Sequence, residues 1–138
     1  HVAIMKKSWN LIPKILSGQK TIESRWYQTR RLPWNHIKAG DTVYFKNSGE
    51  QITVKAKIGE VMQFEIISVQ DIVAIIKEYG NDICLVNNDP LTWGRTPRYC
   101  ILIRLNNPEP VSPFQINKKG FGMASAWVSV ESIGNITL

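Results

Sequence analysis

The sequence has few cysteines and histidines, with two of each among its 138 residues. Cys84 and Cys100 are too few and too far apart to define a metal site, and neither has a histidine at ligand spacing. We therefore expect neither a metal nor any other cofactor. Cys100 lies in the strand-like segment 99–105, so we interpret it as a buried thiol rather than a nucleophile.

Long hydrophobic runs are also missing. No segment approaches the roughly 18 consecutive apolar residues of a membrane span, and the first apolar run is too short for a secretory signal. Hydrophobic residues still make up 43% of the chain, which is enough to bury a core of ordinary size. We expect one domain over residues 1–138, monomeric and cytoplasmic, with no membrane contact.

Acidic residues are outnumbered, with 11 Asp and Glu against 17 Lys and Arg and a net charge of +6. This charge permits binding to polyanions. Several basic residues have aromatic neighbours, and phosphate contacts combined with base stacking need this pairing. We predict contacts to nucleic acid from Lys6, Lys7, Arg30, Arg31 and Trp34. In the alternative interpretation, the aromatic residues fill the core and the basic residues only keep the surface soluble.

Segment 18–26 carries the most informative pattern in the sequence. Thr21, Ile22 and the aromatic residues that follow favour a strand, in which Glu23 and Arg25 share one face. Gly18 fits the left-handed position that ends a helix, which brings Lys20 close to both side chains. A lysine, a carboxylate and an arginine are thus predicted to converge. The alternative is a solvated face of an amphipathic strand.

Gly18, Lys20, Glu23 and Arg25 match the G-x-K-x-x-E-x-R signature of the ASCH domain. Segments 40–45 and 54–61 also resemble strands of that family, so the resemblance extends over most of the chain. It implies an α+β fold, a small PUA-like mixed β-barrel of roughly five to seven strands flanked by helices. It also implies an association with RNA.

Two functions are compatible with this resemblance. In the first, the domain binds RNA or a nucleotide-like small molecule, and Lys20, Glu23, Arg25 and Trp26 contact the ligand. In the second, it is a small hydrolase, because some similar ASCH proteins cleave the amide of acetylated cytidine and others are ribonucleases. Lys20 would then be the nucleophile or base, and Glu23 is the alternative base.

The sequence departs from the amidohydrolase pattern at one position. Those enzymes carry a threonine where this chain has Glu23, and they use a further glutamate from a later strand, for which Glu60 and Glu65 are the candidates. A carboxylate close to Lys20 favours the protonated amine. We therefore favour binding over catalysis.

Two further segments are predicted to border the same cleft. Ser48 lies in a small polar turn, and Lys118 and Lys119 precede two glycines that would let the backbone approach a ligand. Plain turns explain both segments equally well.

The remaining pattern predicts strands and two helices. We expect helices over about 10–17, capped by Asn10, and over 69–79, beginning at Ser68. Strands are predicted at 2–7, 21–27, 42–46, 52–58, 60–64, 99–105 and 127–130. The three prolines between 108 and 113 are expected to interrupt regular structure.

Overall fold

The structure, a computed structural model, describes residues 1–85, 89–122 and 124–138. In chain order its strands and helices are β1 (Val2–Met5), α1 (Leu11–Leu16), β2 (Ile22–Tyr27), β3 (Thr42–Asn47), β4 (Ile52–Glu65), α2 (Val69–Ile83), β5 (Tyr99–Phe114) and β6 (Trp127–Val128). Short 3-10 turns lie at Lys7–Trp9, Pro90–Thr92 and Ile133–Asn135.

The described strands form one mixed sheet in the order β2-β5-β4-β3-β1-β6. The β1–β3 pair is parallel, and every other pair is antiparallel. The sheet curls into a half-barrel in which β2 and β6 are the two end strands. The long strands β4 and β5 pair with each other over most of their length and form the centre of the sheet.

The core lies on both faces of the sheet. The largest cluster collects side chains from β1, β3, β4, β5 and β6, and Ile12 and Ile15 of α1 pack against it. A second cluster joins Ile22 and Trp26 of β2 to the buried face of α2. Because successive side chains of a strand alternate between faces, the two faces of β2 meet different surroundings.

Helix α2 begins where the sequence predicts and ends later. The Asp71 carboxylate accepts hydrogen bonds from the backbone N–H groups of Ile67 and Ser68, which satisfies donors at the helix start. The helix continues past Gly80 to Ile83, and Cys84 ends it in the left-handed conformation with φ 62°. Burial of Ile83 against β2 favours this extra turn over an end at Gly80.

The predicted cap of α1 is wrong. Asn10 has left-handed backbone angles, and its side chain makes no capping hydrogen bond. The 3-10 turn just before it, Lys7–Trp9, imposes this conformation because the Asn10 N–H bonds back to the Lys7 carbonyl.

Strand β5 continues through the three prolines that were expected to interrupt it. Among the described residues, β2 pairs with β5 only as far as Arg104, so beyond that point β5 has a strand partner on one edge only, where prolines are tolerated. The two strands expected at 52–58 and 60–64 are likewise one strand, β4, with register shifts.

Cys100 is buried in β5, as expected, and burial raises the pKa of its thiol far above the ordinary range. Within the described ranges, no helix has both the length and the apolar character needed to cross a membrane.

Candidate functional site

Strand β2 has the predicted alternation, but the polar face is not solvated. Glu23 and Arg25 pair with Ile103 and Ile101 of β5, which belong to the largest core cluster. Glu23 is only 4% exposed, and the Arg25 side chain is 12% exposed. The amphipathic-surface interpretation is therefore wrong, because the curled sheet covers this face of the strand.

Lys20 is positioned by the turn that follows α1. Gly18 takes the predicted left-handed conformation, with φ 81°, and the Lys20 N–H then donates to the Lys14 carbonyl. The Lys20 side chain is only 1% exposed. Its Nζ donates to the carbonyls of Ile22, at 2.9 Å, and Ile83, at 2.6 Å.

The buried lysine also lies beside Glu23. The distance from Lys20 Nζ to Glu23 Oε1 is 3.7 Å. Burial lowers the pKa of Lys20 from its ordinary value, while the negative charge of Glu23 acts in the opposite direction. If the amine were neutral and donated its two hydrogens to the two carbonyls, its lone pair would face the Glu23 carboxylate, and that contact would be repulsive. The arrangement of acceptors therefore favours the ammonium form.

Glu23 and Arg25 leave part of their hydrogen-bonding capacity unused. The Glu23 Oε1 atom accepts from the Ser24 N–H at 2.9 Å, while Oε2 lies 3.7 Å from Arg25 Nη2. Within the described part of the chain, neither Glu23 Oε2 nor Arg25 Nε has a hydrogen-bond partner. A buried acceptor and a buried donor are therefore adjacent and unsatisfied, which is costly unless a ligand or water completes them.

Arg25 also connects the two end strands of the sheet. Its Nη1 donates to the Ala126 carbonyl at 3.2 Å, and its guanidinium carbon lies 5.1 Å from the centre of the Trp127 ring. Ala126 directly precedes β6, whereas Arg25 belongs to β2. A single side chain thus bridges the gap between β2 and β6.

A cavity of about 260 Å³ brings Lys20, Glu23 and Arg25 together. We call it the central cavity. The rest of its lining is largely aromatic and aliphatic. It comes from the end of β1, the 3-10 turn before α1, the start of α1, β2, the end of α2 and the segment after α2: Met5, Trp9, Leu11, Ser24, Trp26, Tyr27, Ile83, Cys84, Leu85 and Trp93.

Trp26 lines the central cavity but is largely a core residue. It is 9% exposed, packs in the cluster beneath α2, and donates from Nε1 to the Ser24 hydroxyl at 3.0 Å. Sequence reasoning missed Trp9, Tyr27 and Trp93 as cavity residues. Tyr27 continues the alternation of Glu23 and Arg25, so the strand pattern predicts that it lies on the same face. Trp9 and Trp93 come from distant segments, which the strand pattern does not include.

The structure does not bring Ser48, Lys118 and Lys119 to the central cavity. Ser48 lies exposed in the turn between β3 and β4. The segment around the two lysines is fastened instead to the end of the described chain, through an Ile116–Thr137 bridge and a hydrogen bond from the Asn117 N–H to the Ile136 carbonyl. Lys118 Nζ donates to the Ser125 carbonyl.

The residues predicted to contact nucleic acid fall into two groups. Lys6 and Lys7 are exposed near the turn between β3 and β4, where Lys7 pairs with Glu50 at 2.8 Å.

The other group, Arg30, Arg31 and Trp34, lies in the loop after β2. Arg30 pairs with Glu65 at 2.7 Å, and the Arg31 guanidinium lies 5.5 Å from the Tyr27 ring centre. Trp34 is half-buried and packs edge-on against Tyr99, at 5.1 Å, so it is less exposed than the sequence suggests. The sequence pattern that indicates this burial is the pair of apolar residues on either side of Trp34, Leu32 and Ile37, which anchor the loop to the core.

No protein-family model matches the sequence, and no curated protein matches it either. Solved structures are similar. The crystal structure of ASCH from Zymomonas mobilis covers 81% of this chain and 70% of its own, with a TM-score of 0.61 and 17% sequence identity. A point mutant of that protein aligns over 81% of this chain and 72% of its own, also with a TM-score of 0.61 and 17% identity.

This similarity is one of fold, and it agrees with the half-barrel and its two helices. The α+β, PUA-like architecture expected from the signature at Gly18, Lys20, Glu23 and Arg25 is confirmed. The polypeptide described above thus has the fold of an ASCH domain.

Proposed function

We propose that the chain binds RNA or a nucleotide-like ligand, with one base in the central cavity. The observation that carries the proposal is that Glu23 Oε2 and Arg25 Nε, in a cavity rich in aromatic side chains, have no hydrogen-bond partner among the described residues. A nucleobase offers a flat surface for stacking and an edge with donors and acceptors side by side. The carboxylate would accept from a ring or amino N–H, and the guanidinium would donate to a ring nitrogen or carbonyl.

The size of the central cavity supports a single base. At about 260 Å³ it is somewhat smaller than the roughly 300–1,000 Å³ of sites for drug-sized ligands. Trp9, Tyr27 and Trp93 are half-buried, so their rings are partly available to a ligand.

Binding to wild-type protein and to Glu23→Gln tests this function. We expect nucleosides, nucleotides or short RNAs to bind the wild type, and Glu23→Gln to weaken binding about tenfold or more, because a charged acceptor is lost. Titration calorimetry measures both affinities. The matched control is Glu60→Gln, since Glu60 is exposed, pairs with Arg104 at 3.3 Å and lies outside the cavity lining. Absence of binding by the wild type to all three ligand classes would remove the proposal.

The lowered pKa of Lys20 is the observation that favours the second candidate, a small hydrolase acting on acylated cytidine or RNA. Other features argue against it. Lys20 Nζ already donates to two carbonyls beside Glu23, and the candidate second acids, Glu60 and Glu65, are both exposed and paired with arginines. These contacts suit a lysine that holds the site together.

Lys20→Arg distinguishes the two candidates. Arginine keeps the charge but cannot serve as base or nucleophile, so a hydrolase would lose turnover of acetylcytidine or RNA. We expect the wild-type protein to show no such turnover. Product formation followed by chromatography is the measurement, and hydrolysis by wild type that disappears in a folded Lys20→Arg protein would establish the enzyme instead.

A further inference from the structure

A second cavity, of about 570 Å³, is lined by residues from both sides of the gap between β2 and β6. We call it the side cavity. One wall comes from β2 and the loop after it, with Tyr27, Arg31 and Leu32, and the other from the segment that leads into β6, with Phe121, Ser125 and Trp127. Tyr27 belongs to the lining of both cavities. The two cavities are therefore neighbours along the end of β2.

Arg25 separates the two cavities. It lines the central cavity, while its hydrogen-bond acceptor Ala126 and the ring that it covers, Trp127, line the side cavity. Tyr27 lies between Arg25 and Arg31. Burial raises the pKa of its hydroxyl, so the hydroxyl stays protonated and the side chain neutral. A ligand with parts in both cavities would therefore lie beside this guanidinium.

The side cavity offers the groups that a nucleotide needs. Phe121 is 36% exposed, which is high for a phenylalanine and leaves its ring available for stacking. Arg31 is exposed and supplies a positive charge, and the described lining contains no acidic residue. An aromatic ring and a cation beside a groove are the combination with which proteins hold unpaired nucleotides.

We propose that the ligand is a single strand of nucleic acid rather than a free nucleotide. One base occupies the central cavity, the adjoining phosphate passes Arg25, and the next nucleotide lies in the side cavity against Phe121 and Arg31. This inference rests on the proposed function, because it assigns a neighbour to the base already placed. Phe121 and Arg31 then determine the preference for a nucleic-acid strand over a free nucleotide.

The test compares nucleoside monophosphates with the corresponding dinucleoside monophosphates, in each of the four bases. We expect a dinucleotide to bind at least tenfold more tightly than its mononucleotide, since stacking of a second base is added. Phe121→Ala and Arg31→Gln should each remove most of this advantage and leave mononucleotide affinity within twofold of the wild type. Calorimetry gives both affinities, and circular dichroism verifies that the variants fold.

Val73→Ala and Arg95→Gln are the matched controls, because both residues are exposed and neither lines either cavity. They should change neither affinity. Equal affinity of the wild type for mono- and dinucleotides would overturn the role of the side cavity as a second nucleotide site and leave the proposed function intact. A Phe121→Ala variant that weakens mono- and dinucleotide binding equally would have the same consequence. Failure of every nucleotide to bind the wild type would overturn both.

Discussion

Lys20 is a buried cation whose hydrogen bonds join distant parts of the chain. Its Nζ donates to Ile22 at the start of β2 and to Ile83 at the end of α2, with Glu23 as a nearby counter-charge. The backbone repeats this connection, because the Thr21 N–H donates to the Asp82 carbonyl at 3.0 Å. The same side chain thus lines the central cavity and fixes the helix to the sheet.

Lys20→Met should therefore destabilise the fold as well as the site. Methionine keeps the apolar stem, but it removes the cation beside the buried Glu23 and the donor to two carbonyls, so we expect a loss of about 3 kcal/mol in the free energy of unfolding. Urea denaturation measures the loss. Adding Glu23→Gln should restore part of the stability, because the uncompensated charge is removed.

Lys77→Met is the control for that experiment, since Lys77 is an exposed lysine of α2. It should alter stability by less than about 0.5 kcal/mol. A loss below about 1 kcal/mol in Lys20→Met would contradict the structural role given to the buried ammonium.

Part of the site was predictable at this scale. Strand alternation separates Glu23 and Arg25 from Ile22 and Trp26, and the left-handed Gly18 brings Lys20 near them. The distant hydrogen-bond partners of Lys20 and Arg25 were not predictable. These acceptors are the backbone carbonyls of Ile83 and Ala126, which lie far away in sequence, and a backbone carbonyl leaves no sequence pattern.

At the scale of elements, α2 begins with a carboxylate whose charge contributes to stability. Asp71 accepts hydrogen bonds from the backbone N–H groups of Ile67 and Ser68, at 2.8 and 3.2 Å, and these bonds lower the pKa of its carboxyl from its ordinary value. A carboxyl with a depressed pKa in the folded state stabilises the fold above its unfolded pKa. That stabilisation is lost as the pH falls through the folded value.

Asp71→Ala should thus lower stability near neutral pH, and the difference from wild type should shrink below about pH 4. Denaturant unfolding at a series of pH values provides the comparison. Gln70→Ala, at a neighbouring exposed position with no ionisable group, should show a difference that does not depend on pH. A constant gap between wild type and Asp71→Ala down to pH 3 would mean that the charge plays no part.

Element positions were more predictable than element lengths. The helical and alternating patterns locate both helices and most strands, but β5 extends nine residues past the predicted end, from 105 to 114. Local sequence argued against this extension because of its prolines. Pairing with β4, which is a tertiary contact, overrides that preference.

For the whole molecule, the excess of positive charge predicts binding that depends strongly on salt. With a net charge of +6, affinity for single-stranded RNA should fall linearly with salt on a logarithmic scale. Arg31→Gln should reduce the slope by roughly 0.7 for the lost phosphate contact. Arg30→Gln should reduce it less, because Glu65 already compensates that charge.

Filter binding or fluorescence anisotropy at several salt concentrations gives these slopes. Trp34→Ala should leave the slope unchanged, since the ring carries no charge. Binding that is insensitive to salt, or equal slopes for Arg30→Gln and Arg31→Gln, would count against this distribution of phosphate contacts.

The order of the strands also has a consequence for how the chain assembles. The β1 strand precedes both of its neighbours in the sheet, β3 and β6, and its pairing with β6 joins Ala3 to the distant Trp127. On a ribosome, β1 would emerge before β3, and its second edge would be covered only after Trp127 and Val128 of β6 had been made. Pairings across such long separations form slowly. Completion of the half-barrel therefore has to follow synthesis of β6, and the bridge from Arg25 to Ala126 can form only then.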